Sequence, residues 1–411
     1  MTSLNHHLDL DWMRAAFSAT RRDGAVGIDG QSASDYEANL DENLKDLLER
    51  IKSGRYRAPA VRRAYIPKGK DGRRPLGIPT FEDKVAQRAI VMLLEPIYEA
   101  TFKDGSYGFR RGRSAHQALQ AVRRNVYRDG GRWILDVDLS RYFDTIDHGL
   151  LRRALDKRIA DGVVRRMIDK WLKAGVLEQG SVTRATAGTP QGGVISPLLA
   201  NVFLHYALDV WFEERLAPRL KGRSSLVRYA DDFVLIFEDF LDCVRTREWL
   251  GKRMAACRLV LHPTKTKMVD FRFKKPNGER HPRMDTTSFV FLGFIHVWGK
   301  SRRGKPNMFQ RTAKDRYARA LRSAWVWCKR NRHQPIPWQH AKLSRSMQGH
   351  FAYYGITGNG KRIRWFAHQV ERTWHYWLSR RSRGQPMTWA RFRAVLDRYP
   401  LPAAKIVHSY V

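Results

Sequence analysis

The chain is poor in cysteine and in acid. Only three cysteines occur in 411 residues, Cys243, Cys257 and Cys328, and they lie far apart. That spacing makes neither a disulfide framework nor a zinc site, and it suits a reducing, cytoplasmic compartment. No run of about 18 apolar residues exists, so no transmembrane helix is expected. Residues 1–12 carry acids and no apolar stretch, so no secretory signal is expected there either. Asp and Glu number 40 against 76 Lys and Arg, a formal net charge of +36. With 43% apolar and 11% aromatic residues, the chain is no disordered polycation, because it has the side chains to build a core. A surface so basic repels itself unless a polyanion neutralises it. Nucleic acid is the partner it implies, since each neutralised phosphate releases counter-ions. An anionic membrane would call for a basic amphipathic helix beside an apolar anchor, and no such anchor is visible.

The charge is concentrated. Residues 301–411 hold 24 Lys or Arg and three acids, Asp315, Glu371 and Asp397, which is +21 of the total. Seven of the 13 Trp lie there as well. Arg interleaved with flat rings suits a module in which cations meet phosphate and rings meet bases. A helical domain with Trp inside and solvated Arg outside would have the same composition.

Periodicity outlines the elements. Leu40, Leu44, Leu47, Leu48 and Ile51 share a helical face, and Gly54 follows as a stop. Residues 61–66 and 74–79 read as two extended pieces joined by Lys-Gly-Lys-Asp-Gly, a hairpin. Residues 82–98 return to helix, and another begins at Ser114. Residues 133–139 (WILDVDL) read as a strand, with Asp136 and Asp138 on one face. Helical spacing resumes over 148–159. Ser196-Pro197 is a helix start, with Ser as the cap and Pro in the first turn. Residues 226–237 read as apolar, Ala-Asp-Asp, apolar: a hairpin with acids at its tip. Residues 289–297 form a strand pair around Gly293. The basic stretches 274–282 and 299–306 read as loops, the second as a domain junction.

Acids are depleted in strands, so Asp138, Asp231 and Asp232 need a reason. Adjacent acids at a turn are often an ordinary Asx turn. Here the flanks are apolar on both sides, and anions held on a buried sheet are unfavourable unless a cation compensates. Hard oxygen donors favour Mg²⁺. Three carboxylates from two strands suit a two-metal phosphoryl-transfer site, with Asp136 competing with Asp138 for the third place. On a basic protein, that points to a polymerase or nuclease.

Tyr229-Ala230-Asp231-Asp232 is the YADD signature of reverse transcriptases, and the order of blocks resembles bacterial group II intron reverse transcriptase/maturases. The blocks are Gly27-Ile28-Asp29-Gly30; Ile66-Pro67-Lys68 with Arg74-Pro75-Leu76-Gly77-Ile78-Pro79; Ser106-Tyr107-Gly108-Phe109-Arg110-Arg111-Gly112-Arg113-Ser114; Trp133 to His148, with Asp138, Phe143-Asp144 and Asp147-His148; Gly188-Thr189-Pro190-Gln191-Gly192-Gly193 through Ser196-Pro197; Phe291-Leu292-Gly293-Phe294; and Gly349-His350-Phe351-Ala352-Tyr353-Tyr354-Gly355. The likeness covers roughly residues 20–408.

The resemblance implies an α+β right-hand polymerase with a helical thumb. Its expected divisions are 1–60 an N-terminal extension, 61–298 fingers and palm, 299–385 the thumb or maturase (X) domain, and 386–411 a short basic tail. It implies RNA-templated DNA synthesis with two Mg²⁺ ions held by Asp138, Asp231 and Asp232, assisted by the Leu139 carbonyl. Lys68 and Arg74 would clamp the dNTP triphosphate. Phe143 would lie under the sugar and exclude a 2′-hydroxyl, and Gln191 would stand where a Gly-rich loop lets backbone approach the nucleotide. Leu292 and Gly293 would grip the primer end. Lys361, Arg362, Arg364 and Arg372 are candidate nucleic-acid contacts, while Tyr353 and Tyr354 would stack on nucleotides or pack between helices, packing being the favoured reading. The implied partners are the parent intron RNA, whose splicing the protein would assist, together with template RNA, primer DNA and dNTPs. The implied setting is a cytoplasmic, nucleoid-associated ribonucleoprotein. Many such proteins end in an HNH-type endonuclease with paired cysteines and histidines; residues 384–411 lack that pattern, so cutting of a second DNA strand is not expected. Two alternatives remain at this level. One is a reverse transcriptase of the same lineage domesticated for phage defence or spacer acquisition. The other is a catalytically silent RNA-binding splicing factor, whose expected mark is loss of a catalytic carboxylate.

Overall fold

The computed structural model describes the chain except residues 69–71, 129, 179–180, 184–187, 189–191, 302, 382–383, 385 and 410–411. It is an α+β protein. Its strands, in chain order, are β1 (Val61–Lys68), β2 (Gly72–Ile78), β3 (Trp133–Asp138), β4 (Val176–Glu178), β5 (Ser181–Thr183), β6 (Ser224–Tyr229), β7 (Asp232–Phe237), β8 (Lys267–Asp270), β9 (Phe289–Phe291), β10 (Phe294–Lys300) and β11 (Pro306–Thr312). Two units are distinct: residues 1–118 with 137–266, and residues 119–136 with 267–411.

In the first unit, β1 and β2 form the expected antiparallel hairpin, with Ile66 opposite Arg74 and Lys68 opposite Gly72. β4 joins β1 in parallel and β5 closes the order β2-β1-β4-β5. The helix Phe81–Glu99 is capped by the Thr80 side chain and buries Val85, Ala89, Ile90 and Leu93. Residues 1–60 pack on it. Phe17 and Tyr36 surround the Phe81 ring, and the Trp12 indole donates to the Ala89 carbonyl at 3.0 Å. Gly27 lies so close to the Pro79–Thr80 backbone that a Cβ would collide with it.

β6, β7 and β3 run side by side in that order, and the end of β3, Val137 and Asp138, belongs to this unit. The helix Ser196–Leu204 covers apolar surface with Leu198, Leu199, Val202 and Phe203. Ser196 does not cap it. Ile195 stands at the cap position without a side-chain bond, and its amide donates to Gln87 Oε1 at 3.1 Å. The buried Gln87 side chain, from another helix, thus holds the start of this helix through the Ile195 amide.

In the second unit, Trp133–Asp136 pair antiparallel with β8, and β9, β10 and β11 form the order β11-β10-β9. Residues 299–306 connect β10 to β11, since Gly299 pairs with Asn307 and Lys300 with Pro306; the stretch is a hairpin connection. Helices Lys314–Asn331, Ile336–Tyr354 and Gly360–Leu378 share a core of Tyr317, Leu343, Met347, Phe351, Phe366, Val370 and Trp374. Residues 386–411 join this core. Phe392 of the helix Trp389–Arg398 is fully buried in it, and Val407 and His408 bond to the Gly355 carbonyl.

Candidate active site

Tyr229 pairs with Asp232, so Ala230 and Asp231 are the two residues of a tight hairpin turn. Ala230 has φ +58°, the positive φ that a type II′ turn needs at its first central position. A non-glycine residue there is disfavoured by roughly 1–2 kcal/mol. Three contacts offset that strain. Ser106 bridges Arg228 alongside β6, with the Tyr107 amide donating to the Arg228 carbonyl and the Arg228 amide to the Gly105 carbonyl, 2.8 Å each. Gly108 lies directly on the Tyr229–Ala230 backbone, where a Cβ would collide with the Ala230 nitrogen. The Arg228 guanidinium donates to the Ala230 carbonyl at 3.0 Å.

Arg228 is fully buried. Its Nε and Nη2 donate to the two carboxylate oxygens of Asp209 at 2.8 and 2.6 Å, and Nη1 also reaches Asn201 Oδ1 at 3.0 Å. Asn201 Nδ2 in turn donates to the Gly108 carbonyl at 2.6 Å. A bidentate pair with every guanidinium nitrogen engaged is the geometry in which a buried ion pair holds. The network ties β6 and the segment 105–108, which lies on the turn, to the helix Ser196–Leu204 and its continuation. The sequence reading missed Arg228, Asn201 and Asp209. Their signal was present: a cation inside an apolar strand, and two polar residues eight apart in an apolar helix.

Asp138 ends β3. Its carboxylate is half-buried and ion-paired with the Lys265 ammonium at 2.5 Å, and its carbonyl accepts from the His262 amide at 2.8 Å. Leu139, buried, bridges Leu261. Lys265 is a fourth residue the sequence did not single out. Among the described residues no three His, Cys, Asp or Glu side chains are gathered as a metal-holding group. The donor chemistry nevertheless suits a hard cation. Asp138, Asp231 and Asp232 offer oxygen alone from neighbouring strands, and Asp138 already engages a cation.

Phe143 is half-buried on the short helix Tyr142–Thr145 that follows β3, edge-on to Tyr142 at 5.4 Å. Tyr142 is anchored by its hydroxyl, which donates to the Ala200 carbonyl at 2.6 Å, and burial raises its pKa above the usual phenol value. Gln191 lies outside the described residues, but its flanks are placed. Gly188 (φ +93°) has the Asp144 backbone within 2.8 Å of where a Cβ would sit, and its carbonyl meets His148 Nε2 at 2.7 Å. Gly192 (φ +115°) lies against the Gly77 carbonyl of β2. Only the backbone of Lys68 and Arg74 is described, in the β1–β2 hairpin.

In the second unit, Phe291 pairs with Phe294. Leu292 (φ +51°) and Gly293 (φ +77°) therefore make a turn of type I′. The Tyr353 hydroxyl donates to the Leu292 carbonyl at 2.9 Å, and both Tyr353 and Tyr354 pack on Phe294. The tyrosines brace this turn, where the sequence suggested packing between helices. On the helix Gly360–Leu378, Lys361, Arg364 and Arg372 are exposed with Trp365 and His368 on the outer face. Arg362 is half-buried over the Tyr317 ring. The Trp residues divide. Trp374 is fully buried, while Trp325, Trp338, Trp365 and Trp389 are exposed.

A basic α+β protein with adjacent carboxylates locked at a hairpin tip, next to a strand ending in a third, is of the nucleotidyl-transferring polymerase class. Residues 66–296, more than half of the chain, match the model of the family "Reverse transcriptase (RNA-dependent DNA polymerase)", and the chain belongs to that family. It is 36% identical to Protein YkfC of Escherichia coli (strain K12) over 311 residues, 68% of this chain and 77% of that one. It is 45% identical to Group II intron-encoded protein LtrA of Lactococcus lactis subsp. cremoris over 166 residues, 40% of this chain and 27% of that one. It is 40% identical to Nuclear intron maturase 2, mitochondrial, of Arabidopsis thaliana over 86 residues, 20% of this chain and 11% of that one. The chain thus spans about three quarters of the first of these relatives and far less of the other two.

Proposed function

We propose that this RNA-directed DNA polymerase serves a group II intron, copying RNA into DNA and binding its parent intron RNA to assist splicing and mobility. The observation that carries the polymerase reading is the Asp231-Asp232 turn fixed by the Arg228 network beside the strand of Asp138. The names of the relatives, an intron-encoded protein and an intron maturase, support the intron setting, as does the net charge of +36. In this reading residues 61–298 act as fingers and palm, 299–385 as thumb, and 1–60 and 386–411 as extensions packed on them. The ribonucleoprotein would be nucleoid-associated. No helix among the described residues is long and apolar enough to cross a membrane.

Asp138, Asp231 and Asp232, with the Leu139 carbonyl, would hold two Mg²⁺ ions. Such ions, when bound, favour the alkoxide of the primer 3′-hydroxyl and neutralise the leaving pyrophosphate. The chain's own task is positioning. The Ala230–Asp231 turn fixes the carboxylates. Phe143, on its anchored helix, presents a ring edge that leaves no room for a 2′-hydroxyl. Lys68 and Arg74 bind the triphosphate, and Gln191 contacts the nucleotide. Leu292 and Gly293 hold the primer end, and Lys361, Arg362, Arg364 and Arg372 take phosphates of the bound duplex or RNA.

The test is Mg²⁺-dependent dTTP incorporation on poly(rA)/oligo(dT). Robust synthesis by the wild type, abolished in Asp231→Ala, is expected. A folded, RNA-binding wild type that makes no DNA would overturn the polymerase mechanism in this chain and leave the splicing role.

A further inference from the structure

A second concave site lies in the first unit, between two helical faces away from the Asp-Asp turn in sequence. Trp211, Arg215, Leu216 and Arg219 line one wall, and Trp249, Lys252 and Arg253 the other. In the first set Trp211, Arg215 and Arg219 recur every four residues, with Leu216 beside them, through the π-helical and 3₁₀ turns that continue the helix Ser196–Leu204. The second falls at i, i+3 and i+4 on the helix Phe240–Ala256, so each set forms one face. The cavity is about 460 Å³, within the size range of small-ligand sites.

Its chemistry is narrow. Six of the seven lining residues are Trp, Arg or Lys, and none is acidic. Trp249, Arg215, Arg219 and Lys252 are exposed. Arg253 is fixed at the base by donating to the Ala207 and Tyr206 carbonyls at 2.8 and 2.9 Å. The adjacent acids Glu213 and Glu214 pair with Lys103, at 3.6 and 2.8 Å, and neither lines the pocket. Indole faces bind a planar base and guanidinium groups bind phosphate. A base paired within a duplex cannot offer its face, so the ligand must be unpaired.

We propose that this pocket takes one unpaired nucleotide of single-stranded RNA, the base against Trp211 or Trp249 and its phosphate on Arg215, Arg219 and Lys252. The inference rests on the reading that the protein binds RNA and adds a specific place for it. The test uses the full chain and an unstructured RNA carrying 4-thiouridine, cross-linked by light and mapped by mass spectrometry. Cross-links on the peptides containing Trp211 or Trp249 are expected. Their yield should fall about tenfold in the Arg215→Glu/Arg219→Glu variant and persist in Trp249→Phe. Both arginines are exposed, so the double variant should fold. Absence of cross-links from both peptides at saturating RNA, or an unchanged yield in the double variant, overturns the site. If AMP binds the pocket more tightly than the RNA does in the same competition, a free nucleotide is the ligand and the RNA assignment is overturned. Incorporation of dTTP by the same wild-type sample separates the two readings. DNA synthesis without pocket cross-links removes only this site, whereas pocket cross-links without DNA synthesis remove only the polymerase.

Discussion

Arg228 precedes the YADD turn by one position and shares no solvent with it, so its role is read in stability and in turn geometry together. Arg228→Ala leaves the Asp209 carboxylate buried without its partner, which should destabilise the protein by about 3–5 kcal/mol. Chemical denaturation measures this, and a loss under 1 kcal/mol would mean that water or Lys103 replaces the guanidinium. Phe143 has a different test. Its ring is held by packing on Tyr142, so Phe143→Ala should fold, and the expected change is incorporation of ribonucleotides that the wild type rejects. Steady-state incorporation of UTP against dTTP on poly(rA) gives the ratio. An unchanged ratio would return Phe143 to plain packing.

At the scale of elements, the β9–β10 hairpin and the helix Ile336–Tyr354 act as one piece. Leu292 adopts a left-handed backbone that its side chain disfavours, and the Tyr353 hydroxyl holds the resulting carbonyl. Tyr353→Phe should lower stability by about 1 kcal/mol through the lost hydrogen bond. Gly293→Ala should lower it further, by roughly 1–2 kcal/mol, because φ is +77° and the new Cβ would stand 3.1 Å from the Tyr354 hydroxyl. In primer extension, both variants should raise the primer concentration needed for half-maximal rate if this turn grips the primer. Thermal melting separates the two effects, and a lowered melting point with unaltered primer dependence would leave the turn a structural brace alone.

At the scale of the whole molecule, three histidines set the response to acid, His205 and His296 buried and His350 half-buried. Burial lowers the pKa of His205 to about 4, of His296 to about 3 and of His350 to about 4, against an ordinary 6.5. Each is held neutral in the folded state, while the unfolded chain takes up protons as the pH falls below 6.5. Stability contributed by the neutral forms is therefore present above about pH 6.5 and lost as the pH falls toward 4, by at most about 3–5 kcal/mol for each histidine. The melting temperature should drop between pH 7 and pH 5, and His205→Phe should blunt the drop. The net charge of +36 makes a companion prediction. RNA affinity should fall linearly in log–log form with salt, and a slope near zero would mean that phosphate contacts do not drive binding.

The sequence by itself determined what is local. The β1–β2 and β6–β7 hairpins, the helix faces, the adjacency of Asp231 and Asp232 and the basic bias of residues 301–411 follow from spacing and composition over a few residues, because strand and helix periods act at short range. The order of blocks also made the family legible, with the expected positions of Asp138, Phe143 and Leu292-Gly293. The start of the helix Ser196–Leu204 was misread because Ile195 takes the cap position instead of Ser196, and its amide is held by a buried Gln87 more than a hundred residues upstream. Only the tertiary structure decided how the turn is held. Asp209, Asn201, Gly108 and Arg228 meet across long stretches of chain, as do Lys265 with Asp138 and Tyr353 with Leu292. None of these pairings has a sequence period. The Arg228 network is fixed by burial, which makes an unpaired charge or donor unfavourable enough that the fold must bring its partner to it.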